Sequence, residues 1–85
     1  MELIETIDLM TSADYKARFK AEYLQTKIRY KKLESLVEKY VSNTLDFEIS
    51  CSIDILKAQL SVMGQYLNLL ETRAKIEQIE LEVQE

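Results

Sequence analysis

The sequence predicts an all-α protein in which a short N-terminal helix precedes a long antiparallel hairpin of two helices. Two series of residues, both mainly apolar, carry this prediction, because each recurs at spacings of three and four. The first series is Phe19, Tyr23, Thr26, Tyr30, Leu33, Val37 and Tyr40. The second series is Ile53, Leu56, Leu60, Met63, Leu67, Leu70 and Ala74. Such spacing places side chains on one side of a helix, and two such sides interdigitate as knobs into holes.

The two series mirror each other, so folding the chain back pairs them without a slip. Phe19 then meets Ala74, and Tyr30 meets Met63. The other members pair in the same order between and beyond these positions. We therefore predict an antiparallel register along the whole length of both helices.

Boundary signals divide the chain into a short helix over residues 1–11 and a hairpin over residues 12–85. Thr11 and Ser12 are hydroxyl residues suited to cap the first long helix, which we expect from about Ser12 to Val41. The turn is expected at about 42–51, with Ser42 and Asn43 ending the helix, since Asn tolerates the left-handed conformation often found past a C-terminus. The second long helix is then expected from about Ser52, with Cys51 or Ser52 as its cap, to Glu80 or slightly beyond.

Both long helices are also apolar on a second side. On the first helix the second strip is Ala17, Ala21, Leu24 and Ile28. On the second helix the outward stripe is Ile55, Val62, Tyr66, Leu69 and Ile76. A hairpin buries only one side of each helix, so the first strip is expected to be covered by the N-terminal segment or a neighbouring subunit. The outward stripe predicts a symmetric homo-oligomer, at least a dimer.

Gly64 is the only glycine in the chain and falls in the middle of the second helix. Glycine there costs about 1 kcal/mol relative to alanine. We therefore expect a large group to approach the helix at this point, with Tyr30 as the candidate.

The charge of the chain is segregated along its length. The formal net charge is −4, yet residues 15–40 hold eight Lys or Arg against three Glu. Lys16, Lys20, Lys27 and Lys31 form a stripe along the first long helix. A basic helix on an acidic chain is a candidate anion-binding surface, and charge pairing within or between subunits is the alternative.

The composition argues against an enzyme and against a metal or cofactor site. There is no histidine, one glycine and one cysteine, Cys51. The usual acid–base group, a glycine-rich phosphate loop and a cysteine-based metal site are therefore missing. No apolar run approaches the ~20 residues of a membrane span, and the acidic start is unlike a signal peptide. We expect a cytoplasmic protein with no membrane or DNA partner.

Two tyrosines stand apart from the predicted hairpin core. Tyr15 precedes the first strong pair of the hairpin, and Tyr66 belongs to the outward stripe. An exposed tyrosine ring offers a face on which a nucleobase can stack. Packing against another element is the alternative for both.

The spacing of several residues resembles a family of phage proteins. The run from Asp14 to Tyr23 continues through Lys27-Ile28-Arg29-Tyr30 to Leu33. A second group follows the spacing Gln59-Leu60, Met63, Tyr66, Leu70 and Arg73. Together, over roughly residues 12–76, they resemble small helical-hairpin proteins of bacteriophages and prophages. That group is similar to the hairpin domain of anti-CBASS and anti-Thoeris sponge proteins.

The resemblance implies a function in immune evasion. Such proteins bind cyclic oligonucleotide or cyclic ADP-ribose signals of the bacterial host and sequester them without cleavage. They form symmetric oligomers, often hexamers, with ligands between subunits. An oligomeric hairpin adaptor that binds a protein or RNA partner through the same basic face is the alternative function.

A pocket for such a ligand needs flat faces for bases and fixed positive charge for phosphates. Tyr15 and Arg18 lie one turn apart on the first long helix, and Tyr66 and Arg73 share a face of the second. Arginine suits phosphate because its planar fork donates two parallel hydrogen bonds. We predict an intersubunit pocket formed by these four residues and Lys27, with Lys27 contributed by a neighbouring subunit.

Overall fold

The computed structural model describes residues 1–81, and every regular element in that range is helical. A 3₁₀ turn, Leu3–Thr6, leads directly into helix α1, Ile7–Met10. Helix α2 spans Tyr15–Val41 and helix α3 spans Ile53–Glu77. The predicted all-α fold is confirmed. No helix in the described range is long and apolar enough to cross a membrane.

Side-chain contacts between α2 and α3 establish an antiparallel pairing close to the predicted one. The hydroxyl of Tyr23 donates a hydrogen bond of 2.7 Å to Oε2 of Glu71. The ring of Tyr30 lies 3.4 Å from the position that a Cβ would occupy on Gly64. In each case the predicted partner is the residue immediately before on α3. Tyr30 is thus the large group that approaches Gly64.

The core lies where α2 begins and α3 ends. Its buried members are Phe19, Tyr23, Leu67, Leu70, Ala74 and Ile79. The first five belong to the two predicted series. Towards the turn the same series are half-buried, apart from the buried Val37 and the exposed Tyr40. The hairpin is therefore packed most tightly at its open end.

Helix α2 begins three residues later than predicted. The N-cap is Asp14, whose Oδ1 accepts a hydrogen bond of 3.2 Å from the backbone N–H of Lys16. Ser12 instead accepts a bond of 3.0 Å from the N–H of Asp14. A side-chain turn therefore precedes the helix, and the expectation of a cap at Thr11 or Ser12 is wrong.

Helix α3 ends before the predicted Glu80. Gln78 adopts a left-handed conformation with φ of 58°. The N–H of Ile79 then bonds to the carbonyl of Ala74 over 2.8 Å, which turns the chain back towards α2. This reversal is why Ile79 joins the core. Residues 82–85 of the predicted hairpin segment lie outside the described residues.

The connection between α2 and α3 follows the predicted chemistry at both ends. Asn43 has φ of 61°, the left-handed conformation expected after the C-terminus of a helix. Ser52 caps α3 by accepting a 3.2 Å hydrogen bond from the N–H of Ile55. Between them Leu45 and Ile49 are half-buried while Phe47 is exposed. The connection is thus partly packed on the hairpin.

The N-terminal segment covers the second apolar strip of α2. The side chain of Gln25 donates a 2.8 Å hydrogen bond to the hydroxyl of Thr6, which is fully buried. Ala21, a member of this strip, is buried. The chain's own N-terminal segment is thus one cover of this strip. By contrast, the outward stripe of α3 is exposed, with Ile55, Val62 and Leu69 each at least 61% accessible.

Candidate ligand-binding site

Three side chains meet at the open end of the hairpin and form a closed hydrogen-bonded triangle. Arg73 donates from Nη2 to the hydroxyl of Tyr15 over 3.0 Å and from Nε to Oε2 of Glu77 over 3.3 Å. The Tyr15 hydroxyl donates to Oε1 of Glu77 over 2.7 Å. The first residue of α2 is thereby tied to the last turn of α3.

The buried ring of Phe19 packs against two members of this triangle, Arg73 and Tyr15. The guanidinium of Arg73 lies 4.9 Å from the centroid of that ring, a cation–π distance. The ring of Tyr15 meets Phe19 edge-on, at a centroid distance of 6.2 Å and an angle of 62°. Because Phe19 is fixed in the core, the flat cation of Arg73 is held in a defined orientation.

The triangle stabilises one protonation pattern. The hydrogen bond to Glu77 raises the pKa of the Tyr15 hydroxyl, and the charge of Glu77 adds to the effect. The same bond from Tyr15, with the bonds and charge of Arg73, lowers the pKa of the Glu77 carboxyl. Desolvation opposes the charged form of Arg73, yet its bonds to Glu77 and Tyr15 raise its pKa overall. A neutral tyrosine, a carboxylate and a guanidinium are therefore favoured at neutral pH.

The triangle is open to solvent and can exchange partners. The Arg73 side chain is 49% exposed. Its two described hydrogen bonds are donated by Nε and Nη2, and neither involves Nη1. An incoming phosphate can approach this guanidinium, but it competes with the carboxylate of Glu77 for the same charge. An anionic ligand would therefore have to share Arg73 with Glu77 or displace that carboxylate.

The structure brings two of the five predicted site residues into contact and places the others apart. Tyr15 and Arg73 meet in the triangle. Arg18 donates from Nη1 to the carbonyl of Ser12 over 2.8 Å, and so braces the segment before α2. Tyr66 lies on the outward stripe of α3 and is 38% exposed. Their role in ligand binding stays a prediction.

Lys27, the fifth predicted residue, lies on another face of the hairpin. Its Nζ is 3.4 Å from the Tyr23 hydroxyl and 5.6 Å from the centroid of the Tyr23 ring. That hydroxyl bonds to Glu71, which is six residues from Glu77 and so projects about 120° away around α3. Within one chain, Lys27 therefore faces away from the triangle, and its contribution from a neighbouring subunit stays a prediction.

Two cavities flank Glu71 on this second face. One has a volume of about 270 Å³ and is lined by Lys27, Tyr30, Lys31, Gly64, Leu67, Asn68 and Glu71. The other has a volume of about 260 Å³ and is lined by Tyr23, Glu71, Ala74, Lys75, Ile79 and Leu81. The described part of the chain contains no group of three His, Cys, Asp or Glu residues able to hold a metal ion.

The two carboxylates are the site residues that sequence reasoning missed. Neither Glu71 nor Glu77 is among the residues predicted from the sequence to bind a ligand. The spacing of Arg73 and Glu77, four residues apart on a helix, is a recognised ion-pair signal. For Glu71 the signal is its position beside Leu70, the predicted partner of Tyr23. Both carboxylates therefore bond a tyrosine across the hairpin.

A comparison with protein families identifies the chain. The model of a family described as Sequestin matches residues 13–76, which spans α2 and nearly all of α3. The chain belongs to the Sequestin family. The family's name denotes sequestration and not catalysis. The matched range of this Sequestin chain contains all five predicted site residues. No curated protein and no solved structure matches it.

Proposed function

We propose that this Sequestin protein is a phage anti-defence sponge that binds a cyclic nucleotide immune signal and sequesters it without cleavage. The ligand class is a cyclic oligonucleotide or a cyclic ADP-ribose type of signal, met in the cytoplasm of the bacterial host. Family membership supports sequestration as the activity. The observation that carries the ligand class is the Arg73 guanidinium, which lies 4.9 Å from the centroid of the Phe19 ring and is hydrogen-bonded to Tyr15.

The triangle supplies the two kinds of contact that a cyclic nucleotide needs. Its phosphates need a fixed cation, and Arg73 can donate two parallel hydrogen bonds once Glu77 is shared or displaced. Its bases need flat faces, and Tyr15 is 47% exposed beside that cation. Tyr66 adds a second partly exposed ring on the same helix as Arg73. These residues recognise shape and charge, and none of them supplies cleavage chemistry.

We further propose that a second copy of the chain completes the site. The outward stripe of α3 repeats every seven residues at Ile55, Val62 and Leu69, the spacing that packs one helix against another. These residues are exposed in one chain. Packing two such stripes together would bring Tyr66 into the interface and let a neighbour supply Lys27. The proposed assembly is a dimer or a hexamer.

The alternative function is an oligomeric hairpin adaptor for a protein or RNA partner. Its support is the same basic surface of α2, on which Lys20, Lys27 and Lys31 follow one side of the helix. RNA binding by such a surface would depend steeply on salt, because counterions are released from the backbone.

A thermal-shift panel separates these functions. The panel contains cyclic dinucleotides, cyclic trinucleotides, cyclic ADP-ribose variants and a short single-stranded RNA. A ligand at a hundredfold excess over its Kd stabilises the folded protein by about 2.7 kcal/mol, which is a clear rise in Tm. The sponge function predicts this rise for a cyclic ligand at physiological salt. A rise with RNA alone supports the adaptor function.

A further inference from the structure

We infer that the cavity around Gly64 is a binding subsite for a single adenine nucleotide unit. This inference rests on the proposed function, because it names the part of the nucleotide signal that each chain would hold. The subsite lies on the face of Lys27 and Glu71, away from the Arg73 triangle. Each chain would then contribute two different surfaces to a ligand held between subunits.

The glycine is the first observation, because the approach of Tyr30 would still leave room for an alanine at this position. A Cβ at position 64 would lie 3.4 Å from Cε1 and 3.7 Å from the hydroxyl of Tyr30. These are ordinary van der Waals distances, so the packing of α2 on α3 accepts alanine. Glycine nevertheless weakens a helix relative to alanine. Its effect here is to leave the bottom of the cavity open beside the Tyr30 ring.

The walls of the cavity carry groups that match a nucleotide. Lys27 and Lys31, one turn apart on α2, place positive charge along one wall. The half-buried Tyr30 ring provides an aromatic surface at the bottom of the cavity. Phosphate is attracted to the lysines, and a base can stack on an aromatic ring. The cavity therefore offers separate places for the two ends of a nucleotide.

The opposite wall favours adenine over uracil. Asn68 lies on α3 and presents an amide, which can both donate to and accept from the edge of adenine. Glu71 next to it is an acceptor, and the bond from Tyr23 fixes its carboxylate. An exocyclic amine finds acceptors on this wall. Uracil has a carbonyl in place of that amine, so it offers this wall only its ring N–H as a donor.

The cavity has room for one nucleotide unit. Pockets for whole small molecules have volumes of about 300–1,000 Å³. At about 270 Å³ this cavity is slightly smaller. One nucleotide matches that size, whereas a complete cyclic dinucleotide exceeds it. The rest of a larger ligand must extend out of the cavity, towards a second chain.

Titration of the ¹⁵N-labelled protein with adenosine monophosphate, uridine monophosphate and inorganic phosphate tests the subsite. We expect adenosine monophosphate to shift the backbone amides of Lys31, Gly64 and Asn68 and to bind at least fivefold more tightly than the uridine nucleotide. Phosphate alone should shift only the lysine side of the cavity. Shifts confined to the Arg73 end, or no preference between the two nucleotides, would overturn the inference.

Two variants sharpen the test. Gly64→Ala should raise Tm by several degrees and should weaken the binding of adenosine monophosphate at least fivefold. Ser61→Ala, one turn away on the exposed side of α3, is the control and should leave binding unchanged. Lys31→Gln should weaken nucleotide binding, while its ¹⁵N spectrum remains that of a folded protein. If Gly64→Ala binds adenosine monophosphate as tightly as the unmodified protein does, the inference is overturned.

The same experiments distinguish this inference from the proposed function. If a cyclic nucleotide binds tightly and Gly64→Ala and Lys31→Gln leave its affinity unchanged, the subsite is wrong and the sponge function stands. If adenosine monophosphate occupies the cavity while every cyclic nucleotide fails to bind, the subsite stands and the sponge function is wrong.

Discussion

Arg73 reaches across the open end of the hairpin and donates a 3.0 Å hydrogen bond from Nη2 to the hydroxyl of Tyr15, 58 residues earlier in the sequence. The contact joins two of the residues that the sequence predicted for ligand capture. Glu77 completes their triangle and already balances the charge of Arg73. The affinity of this end for anions therefore depends on both the guanidinium and its carboxylate partner.

Replacing Arg73 should remove most of the phosphate contact. We expect Arg73→Ala to weaken the best cyclic nucleotide at least tenfold, measured by calorimetry, with the size of the oligomer unchanged. Arg73→Lys should recover little, because an ammonium lacks the planar fork of a guanidinium. Arg29→Ala removes an exposed arginine from the middle of α2 and is the matched control. Equal losses in Arg73→Ala and Arg29→Ala would mean that only overall charge matters.

Replacing Glu77 should have the opposite effect on ligand binding. Glu77→Gln keeps the shape of the side chain but frees the charge of Arg73, so an anionic ligand should bind several-fold more tightly. Glu80→Gln removes a nearby exposed carboxylate and serves as the control. Weaker binding by Glu77→Gln would show that the triangle must stay intact for capture.

The lowered pKa of Glu77 also predicts a pH dependence of stability. A carboxyl with a lowered folded-state pKa stabilises the fold most above about pH 5, and this contribution is lost as pH falls through the folded-state pKa. Urea unfolding should therefore show the unmodified protein more stable than Glu77→Gln at pH 7, with the gap closing towards pH 3. A gap that is constant with pH would contradict the assigned triangle.

The exposed stripe of α3 predicts self-association. Light scattering should find a dimer or larger species at micromolar concentration. The double variant Val62→Glu and Leu69→Glu should dissociate it, because two carboxylates would be buried in an apolar contact. Ser61→Glu adds a charge on a neighbouring side of the same helix and is the control. A stable monomer for the unmodified protein would rule out the shared site.

The buried position of Ile79 predicts a large loss of stability on truncation. Ile79 is 6% exposed, whereas Ile4 is 73% exposed. Ile79→Ala should lower the free energy of unfolding by about 2–5 kcal/mol, and Ile4→Ala should change it by less than about 0.5 kcal/mol. Similar values for both variants would contradict the packing of Ile79 against α2.

Sequence periodicity predicted the antiparallel pairing of the hairpin to within one residue. Facing apolar series specify which sides of α2 and α3 meet, and the cost of a mid-helix glycine pointed to Tyr30 as the neighbour of Gly64. Asn43 was likewise predictable, because few residues tolerate a left-handed conformation after a helix. The end of α3 was not, since Gln78 adopts that conformation without being a residue type that favours it.

The candidate site was predictable only in part, for a physical reason. Spacing along one helix shows which residues share a face, and the predicted pairing of Phe19 with Ala74 placed Arg73 at the same end of the hairpin as Arg18. It does not show which carboxylate a side chain bonds, so Glu77 was missed. It also did not show that Lys27 contacts Tyr23 of its own chain, because two faces of a hairpin become distinct only once both helices are packed.

The most direct test of the sponge function is a binding and release measurement. The protein is titrated with the cyclic nucleotide panel by calorimetry, and the bound ligand is then recovered by heat denaturation and identified by chromatography. We predict one ligand with a Kd well below about 10 μM, which corresponds to more than about 7 kcal/mol of binding free energy, recovered intact. The absence of any ligand in that range, or recovery of a cleaved product, would contradict a sequestering function.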